Sequence, residues 1–512
     1  MQRNSQYGSI QFDVDNRETR WATPDEIKRS CEHVLLSDHD YKAAGLPILS
    51  DGVEAYVDNM DTHSLIFGAT GSKKTRLFCM PLIDMLIRGG ESFVATDPKG
   101  ELYERTSGMA KEYGYNTLVL DLRRLSHGDS WNPMLLAYDL YHSDRKQEGI
   151  SMMNDFIQSL AEPSKNNTQD LFWPTMACSY ILANMLLLAE CGAKEQFNIK
   201  NITLLSDASN AQDLRMLMDR MDDGCLAKTN YSGVLSAAKD TMLSIFASVY
   251  GILGVFNTQD DLAKMLSTNT IDLREIGREK TAVYLIVPDE KTTYHFLATA
   301  FIKQAYEVLI AEAQKEKGRR LPIRVNFVLD EFCNMPKVPD MPSMISAARS
   351  RNMRYFIVVQ SLHQLRGKYG EDADTIKGNC DNWVFLTSRE MALLEEISGL
   401  CGTYRGRNGE MRRLISISEL QRLNKQKGES LIMHERQYPI ITELADIDDY
   451  EMFKGYEPLP LKKRKESDTK LFDLKKLVRD VLSNSVPAPF STTKESNEYD
   501  EIDRLQKMLF GN

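Results

Sequence analysis

The sequence predicts an α/β fold: a mostly parallel sheet built by alternating strands and helices, with an all-α domain inserted between its two halves. Three observations predict it. Apolar runs of strand length end at the glycine Gly68 or in polar or acidic residues at Asp97, Asp121, Asp330 and Gln360. Parallel strands that are buried along their length and meet a ligand edge at their carboxyl ends have this pattern. Segments of helical period separate those runs. From about Leu140 to Leu273 the strand signal stops, and helical periods take over at Ile150–Leu160, Phe172–Glu190, Ala211–Met221, Tyr231–Leu253 and Asp260–Leu266.

A chain of 512 residues has room for two or three domains, and 42% hydrophobic with 27% charged residues is ordinary for a globular protein. The net charge of −10 argues against a chain that coats nucleic acid indiscriminately, but leaves room for DNA held in a local basic channel. The eight cysteines are scattered, with no Cys-x-x-Cys pair and no histidines at zinc spacing, so reduced thiols in a cytoplasmic protein are expected. No window holds about 18 uninterrupted apolar residues, and the first residues lack the apolar core of a signal peptide. Neither a transmembrane helix nor a secretion signal is expected.

Residues 1–60 are polar with short apolar runs, and Thr23-Pro24 reads there as an N-cap followed by proline at the first helical position. The stretch from His63 to Arg76 carries the chemistry. Leu65–Phe67 reads as a buried strand and the aliphatic pattern after Arg76 as a helix. The loop between them is Gly68-Ala69-Thr70-Gly71-Ser72-Lys73-Lys74-Thr75. It fits the phosphate-binding P-loop, Gly-x-x-x-x-Gly-Lys-[Ser/Thr], at every defined position but one. Backbone N–H groups and the helix N-terminus would bind the phosphates of ATP, Lys74 would reach the β- and γ-phosphates, and the Thr75 hydroxyl would ligate Mg²⁺. The candidate nucleotide-binding residues run from Gly68 to Arg76.

The exception is Lys73, which stands where the second glycine belongs. That position usually needs φ > 0, at a cost on the order of 1–3 kcal/mol for a non-glycine residue. Two readings follow. Either phosphate binding offsets the strain and gains a second ammonium, or the loop binds nucleotide weakly or not at all.

Ser92–Asp97 and Thr117–Leu122 are the next strands, and their terminal Asp97 and Asp121 either face the nucleotide edge or cap the turns that follow. The helical block has no metal or acid/base cluster, which suits substrate contact rather than chemistry. The strand pattern resumes at Thr281–Pro288, followed by a helix over Tyr294–Lys315. Arg324–Leu329 then runs into Asp330-Glu331, the Walker B pattern: Asp330 would hold the Mg²⁺ water shell and Glu331 would orient and deprotonate the attacking water. The strand Tyr355–Val359 ends in Gln360, suited to sensing the γ-phosphate or positioning water. Arg349 and Arg351 are either solvated helix-end residues or, in a ring of copies, arginine fingers. Asn382–Ser388 closes this series of strands, and the basic loop Tyr404–Arg413 is a DNA-facing loop or a hairpin turn. After Tyr456, prolines and Lys462-Lys-Arg-Lys465 mark a linker. A helix over Leu471–Leu482, a disordered stretch and a last helix at Ile502–Phe510 follow.

The motifs thus divide the chain into 1–138, an N-terminal segment with the first half of a nucleotide-binding domain; 139–274, the all-α domain; 275–455, the second half of the nucleotide-binding domain; and 456–512, a flexible tail with short helices.

In this order, the P-loop, Asp97-Pro-Lys-Gly-Glu101, Ser130-Trp-Asn-Pro133, Asp170-x-Phe-Trp173, Leu329-Asp-Glu-Phe332, Gln360-Ser361 and Gly378-Asn-Cys-Asp381 resemble the TraG/TraD-type coupling proteins, the conjugation ATPases of type IV secretion systems. The resemblance spans roughly residues 17–450. It implies a RecA-like P-loop NTPase domain with an inserted all-α domain, working with ATP and Mg²⁺. It also implies a homohexamer that brings relaxase-bound single-stranded DNA or effector proteins to the secretion channel at the inner face of the membrane. By position, Lys74 and Thr75 are its Walker A pair, Asp330 and Glu331 its Walker B pair, and Gln360 its sensor. Two features depart from the family pattern: Lys73 replaces the Walker A glycine, and its N-terminal transmembrane helices are not seen. Membrane recruitment by a partner such as a separate anchor, or else a truncated or soluble form of the protein, is therefore expected.

Overall fold

The computed structural model describes residues 3–5, 8–10, 19–166, 170–406, 408–450, 455–465 and 469–490. Its two compact units are residues 1–123 with 272–461, and residues 124–271 with 462–512.

The first unit is organised by a nine-stranded sheet. In chain order its strands are His63–Gly68 (β1), Ser92–Asp97 (β2), Asn116–Asp121 (β3), Thr281–Ile286 (β4), Val325–Leu329 (β5), Met353–Val359 (β6), Cys380–Thr387 (β7), Glu429–His434 (β8) and Ile440–Glu443 (β9). Their spatial order is β9-β8-β7-β1-β6-β5-β2-β4-β3. Every pairing from β7 through β3 is parallel, while β8 and β9 close one side antiparallel. Strands β1, β2, β4, β5 and β6 are buried at every residue, the burial expected of parallel strands covered on both faces. The helix that follows β1 begins as a π-turn over Thr75–Cys79, continues over Met80–Arg88, and buries Leu77, Phe78, Leu82, Ile83 and Leu86 in the main core.

A small antiparallel sheet, in the order Glu32–Leu35, Glu54–Asp58, Leu46–Ser50, precedes β1. The sequence reading assigned these residues no element, because their apolar runs are short and have no clean alternation. Strands β8 and β9 also carried no signal strong enough to be read. Helix Pro24–Ser30 forms as expected, with Thr23 as N-cap in a capping box completed by Glu26. The basic loop after 403 is a hairpin, Thr403–Arg405 paired with Met411–Arg413.

The second unit is helical. Its long helices are Lys146–Asn166, Phe172–Cys191 and Lys239–Thr258. Tyr180 sits edge-to-face against Tyr231 and Phe246, and Asn184 joins the Tyr231 hydroxyl (2.8 Å) to Ser206 Oγ (3.1 Å). The helix expected over Tyr231–Leu253 is two helices, Leu226–Leu235 and Lys239–Thr258, which break at residues 236–238 where no glycine or proline marks the change. Residues 124–134 belong to this unit rather than to the sheet: Trp131 N–H donates to Met265 O at 3.1 Å and Ser130 N–H to Thr270 Oγ1 at 2.9 Å. The segment after Leu461, read from composition as a linker, packs on the helical unit. Arg464 donates to the His127 and Asp129 carbonyls, both at 2.8 Å, and Asn201 bonds Lys470 O and Phe472 N–H ahead of helix Leu474–Leu482. The expected helix at Ile502–Phe510 lies outside the described residues.

Phe172–Cys191 and Lys239–Thr258 are long and apolar enough, by length and composition, to cross a membrane; within the fold 67% and 33% of their apolar windows are buried. The criterion of uninterrupted apolar residues passed over both because Asn184, Ser244 and Ser248 interrupt them.

Within the first unit, one buried cation joins the small sheet's end to the large sheet. Arg354 on β6 is 1% exposed; it pairs with Glu91 at 2.5 Å and donates to Asn326 Oδ1 (2.8 Å), Ala44 O (3.1 Å) and Met60 O (3.2 Å). Arg354→Met should lower unfolding stability by about 1–3 kcal/mol, because it leaves Asn326 Oδ1 and the Ala44 and Met60 carbonyls without this donor, while Glu91 keeps Arg324 at 3.0 Å. Urea unfolding measures it, and a loss under about 1 kcal/mol would show that the network is not holding the two sheets together.

Candidate functional site

The sheet brings three chain segments together because β6 lies between β1 and β5. Phe356–Val359 runs in register with Ser64–Phe67, and Val325–Leu329 with Met353–Ile357, so all three strands point their carboxyl ends the same way. The loop 68–75 leaves β1, Asp330-Glu331 leaves β5, and Gln360 leaves β6.

The loop has the shape of a phosphate cradle. A Cβ on Gly68 would stand 2.4 Å from Ser72 Oγ and 2.8 Å from Lys74 Cγ, so only glycine fits the turn. Gly71 and Lys73 both have positive φ, at 75° and 66°. Lys73 therefore adopts the left-handed conformation that a glycine would hold without strain. The Ser72 hydroxyl is buried without a hydrogen-bond partner, an unspent donor facing the loop's own interior. Lys74, 6% exposed, folds back to donate to Gly68 O at 2.6 Å and lies 3.5 Å from Glu331 Oε1.

The carboxylates are linked to that loop. Thr75 Oγ1 donates to Asp330 Oδ2 at 3.0 Å, so a hydroxyl and a carboxylate, both hard oxygen ligands suited to Mg²⁺, already share one spot. Asp330 is fully buried; burial first, then the neighbouring Glu331 charge, push its carboxyl up to about 6 against the pull of Lys74 and Thr75. Glu331 has φ 51°, held by its own N–H donating to Asp330 Oδ1 at 2.9 Å. That backbone turns its side chain to receive Gln360 Nε2 at 2.8 Å and Asn334 Nδ2 at 3.4 Å, while Gln360 Oε1 accepts from Thr70 Oγ1 at 3.2 Å. The chain Thr70–Gln360–Glu331–Lys74 closes a polar ring around the mouth of the loop.

Arg349 and Arg351 are not part of this cluster. They precede Met353, at the amino ends of the strands, so the seven-residue β6 separates them from the loop by roughly 20 Å. Arg349 pairs there with Asp381 at 2.6 Å. Asp97 caps the next helix instead of facing the loop, accepting from Gly100 N–H (2.8 Å) and Tyr103 N–H (2.9 Å), and burial pushes its carboxyl up to about 6. Asp121 accepts from Arg123 N–H at 2.8 Å.

Two acids escaped the sequence reading. Asp446 receives Lys73 Nζ at 3.1 Å and a two-pronged bond from Arg76, which also reaches Asp448. Partial burial raises the Asp446 carboxyl, but the bonds from Arg76 and Lys73 outweigh it and leave it below the usual carboxylate range. The acidic turn Asp446–Asp449 was legible as a capping sequence, but nothing in one dimension points it at residues 73 and 76.

A family model described as type IV secretory system conjugative DNA transfer matches residues 26–463. Protein VirD4 of Rhizobium radiobacter is 25% identical over 460 residues, covering 85% of this chain and 61% of that protein. Conjugal transfer protein TraG of Escherichia coli is 23% identical over 365 residues, covering 66% and 55%. The chain thus spans about 60% of the length of the curated relatives it matches. Among solved structures, the plasmid coupling protein TrwB in complex with the non-hydrolysable ATP analogue ADPNP superposes with a TM-score of 0.61 at 15% identity, covering 88% of this chain and 97% of that one. TrwB with ADP and Mg²⁺ gives 0.60. The likeness to TrwB establishes the fold.

The strain at Lys73 has a measurable consequence. Lys73→Gly should leave stability within about 1 kcal/mol, as relief of strain offsets the lost ion pair, whereas Lys73→Val should cost about 1–3 kcal/mol relative to glycine. Chemical denaturation separates the two, and equal stability of the glycine and valine variants would contradict a left-handed residue 73.

Proposed function

Because the chain belongs to the type IV secretory system conjugative DNA transfer family, we propose that it is a P-loop ATPase coupling protein. It uses hydrolysis to feed relaxase-bound single-stranded DNA, or effector proteins, to a type IV secretion channel. The observation that carries this reading is the convergence of Lys74, Thr75, Asp330, Glu331 and Gln360 at the carboxyl ends of three adjacent strands.

ATP is the substrate. The N–H groups of residues 69–75 and the helix N-terminus bind its phosphates, and the Lys74 ammonium exchanges the Gly68 carbonyl for phosphate oxygens, stronger charge-assisted partners. Thr75 and Asp330 would hold Mg²⁺, which would supply positive charge to neutralise the phosphate oxygens. Glu331 orients the attacking water and accepts its proton, and Gln360 connects Glu331 to Thr70 of the loop, so occupancy of the loop is felt at the base. As arginine fingers, Arg349 or Arg351 would serve a neighbouring copy in a homohexameric ring, a role suited to residues remote from their own loop. The helical unit contacts the transferred substrate. The protein works from the cytoplasm at the inner face of the membrane, beside the secretion channel.

A second reading is a nucleotide-binding adaptor that recruits substrate and hydrolyses weakly or not at all. The left-handed Lys73, whose ammonium is held by Asp446, favours it. Glu331→Gln discriminates. The motor predicts turnover reduced at least 100-fold with ATP affinity retained; unchanged turnover and unchanged DNA transfer would sink the motor.

A further inference from the structure

Lys73 and Arg76 are both cations of the phosphate-binding segment, and both are engaged by carboxylates that belong to no catalytic motif. Asp446 stands between them, 19% exposed, with Lys73 Nζ and Arg76 Nε both on Oδ2 and a further Arg76 bond on Oδ1. The turn that carries it is built rather than loose. Asp446 N–H donates to Asp449 Oδ2 at 3.0 Å, Leu444 N–H to Gly428 O at 3.0 Å, and the Tyr450 hydroxyl meets Ser50 Oγ at 2.9 Å. Through this turn the P-loop is tied to the end of β9 and to the small sheet.

We propose that Asp446 is a nucleotide-responsive latch, whose carboxylate holds Lys73 and Arg76 until the phosphates of a bound nucleoside triphosphate take those cations and free the 446–449 turn. The competition is unequal in the right direction. Asp446 sets a single carboxylate charge against the two cations, whereas a triphosphate in a cradle of N–H donors offers several charges to the same pair. The latch also gives Lys73 a function that glycine could not serve: a glycine there would leave Asp446 with Arg76 alone. Nucleotide arrival is thereby reported to the edge of the sheet, at the opposite side of the loop from Glu331 and Gln360.

The proposal rests on the loop being a nucleotide site, and the test separates the two. Binding of fluorescent ATP with Mg²⁺ is measured for the wild-type chain and for Asp446→Asn, together with amide hydrogen exchange over residues 440–450. The latch predicts three- to tenfold tighter ATP binding in Asp446→Asn. It also predicts faster exchange of the 446–450 amides when wild type binds ATP, a response that Asp446→Asn lacks. If wild type binds ATP but the variant binds equally or more weakly, or the turn's exchange does not respond, the latch is overturned and the nucleotide site stands. If wild type binds no ATP, both fall. The exchange measurement on wild type needs no substitution, so a variant that fails to fold does not protect the proposal.

Discussion

The structure depends on the placement of β6 between β1 and β5. Parallel pairing on both sides of one strand puts three carboxyl ends within reach of a single loop, and the register makes the reach short enough for hydrogen bonds. Gln360 could not bond Glu331 at 2.8 Å and Thr70 at 3.2 Å if another strand intervened. Burial of all three strands fixes this register, since no face is free for slippage.

Strain concentrates at the same edge. Lys73 and Glu331 both adopt left-handed backbone, one at the apex of the loop and the other directly after the buried carboxylate Asp330. Such conformations persist where surroundings over-determine them. For Glu331 the determinant is the bond to Asp330; for Lys73 it is the loop's own backbone bonding, with Leu77 N–H on Lys73 O at 2.9 Å and Ser72 N–H on Ala69 O at 3.0 Å. Two strained residues at one edge of the sheet fit a site built for a ligand rather than for stability.

Much of the core was legible in one dimension because its signals are local. An apolar run of fixed length ending in a carboxylate, and a glycine-rich loop ahead of a helix, need no tertiary knowledge, so β1, β2, β5 and β6 and the Thr23 cap could be read directly. What escaped depends on pairing at a distance. The strands at Glu32–Leu35, Leu46–Ser50 and Glu54–Asp58 are short and gain stability only from each other. Strands β8 and β9 exist because β7 offers an edge. The basic run at 462–465 has the composition of a linker, yet Arg464 is spent on backbone carbonyls. In the site, the loop and both Walker carboxylates were visible as motifs, while Asp446, 373 residues from Lys73, was not.

Under the proposed function, this edge turns over nucleotide in spite of Lys73. ATP hydrolysis by the purified protein, with and without single-stranded DNA and with Lys74→Ala as the blank, tests it most directly. Turnover should rise with DNA and vanish in the blank. Bound nucleotide with no turnover above the blank, in a sample shown to be assembled as a ring, would contradict it and leave the adaptor.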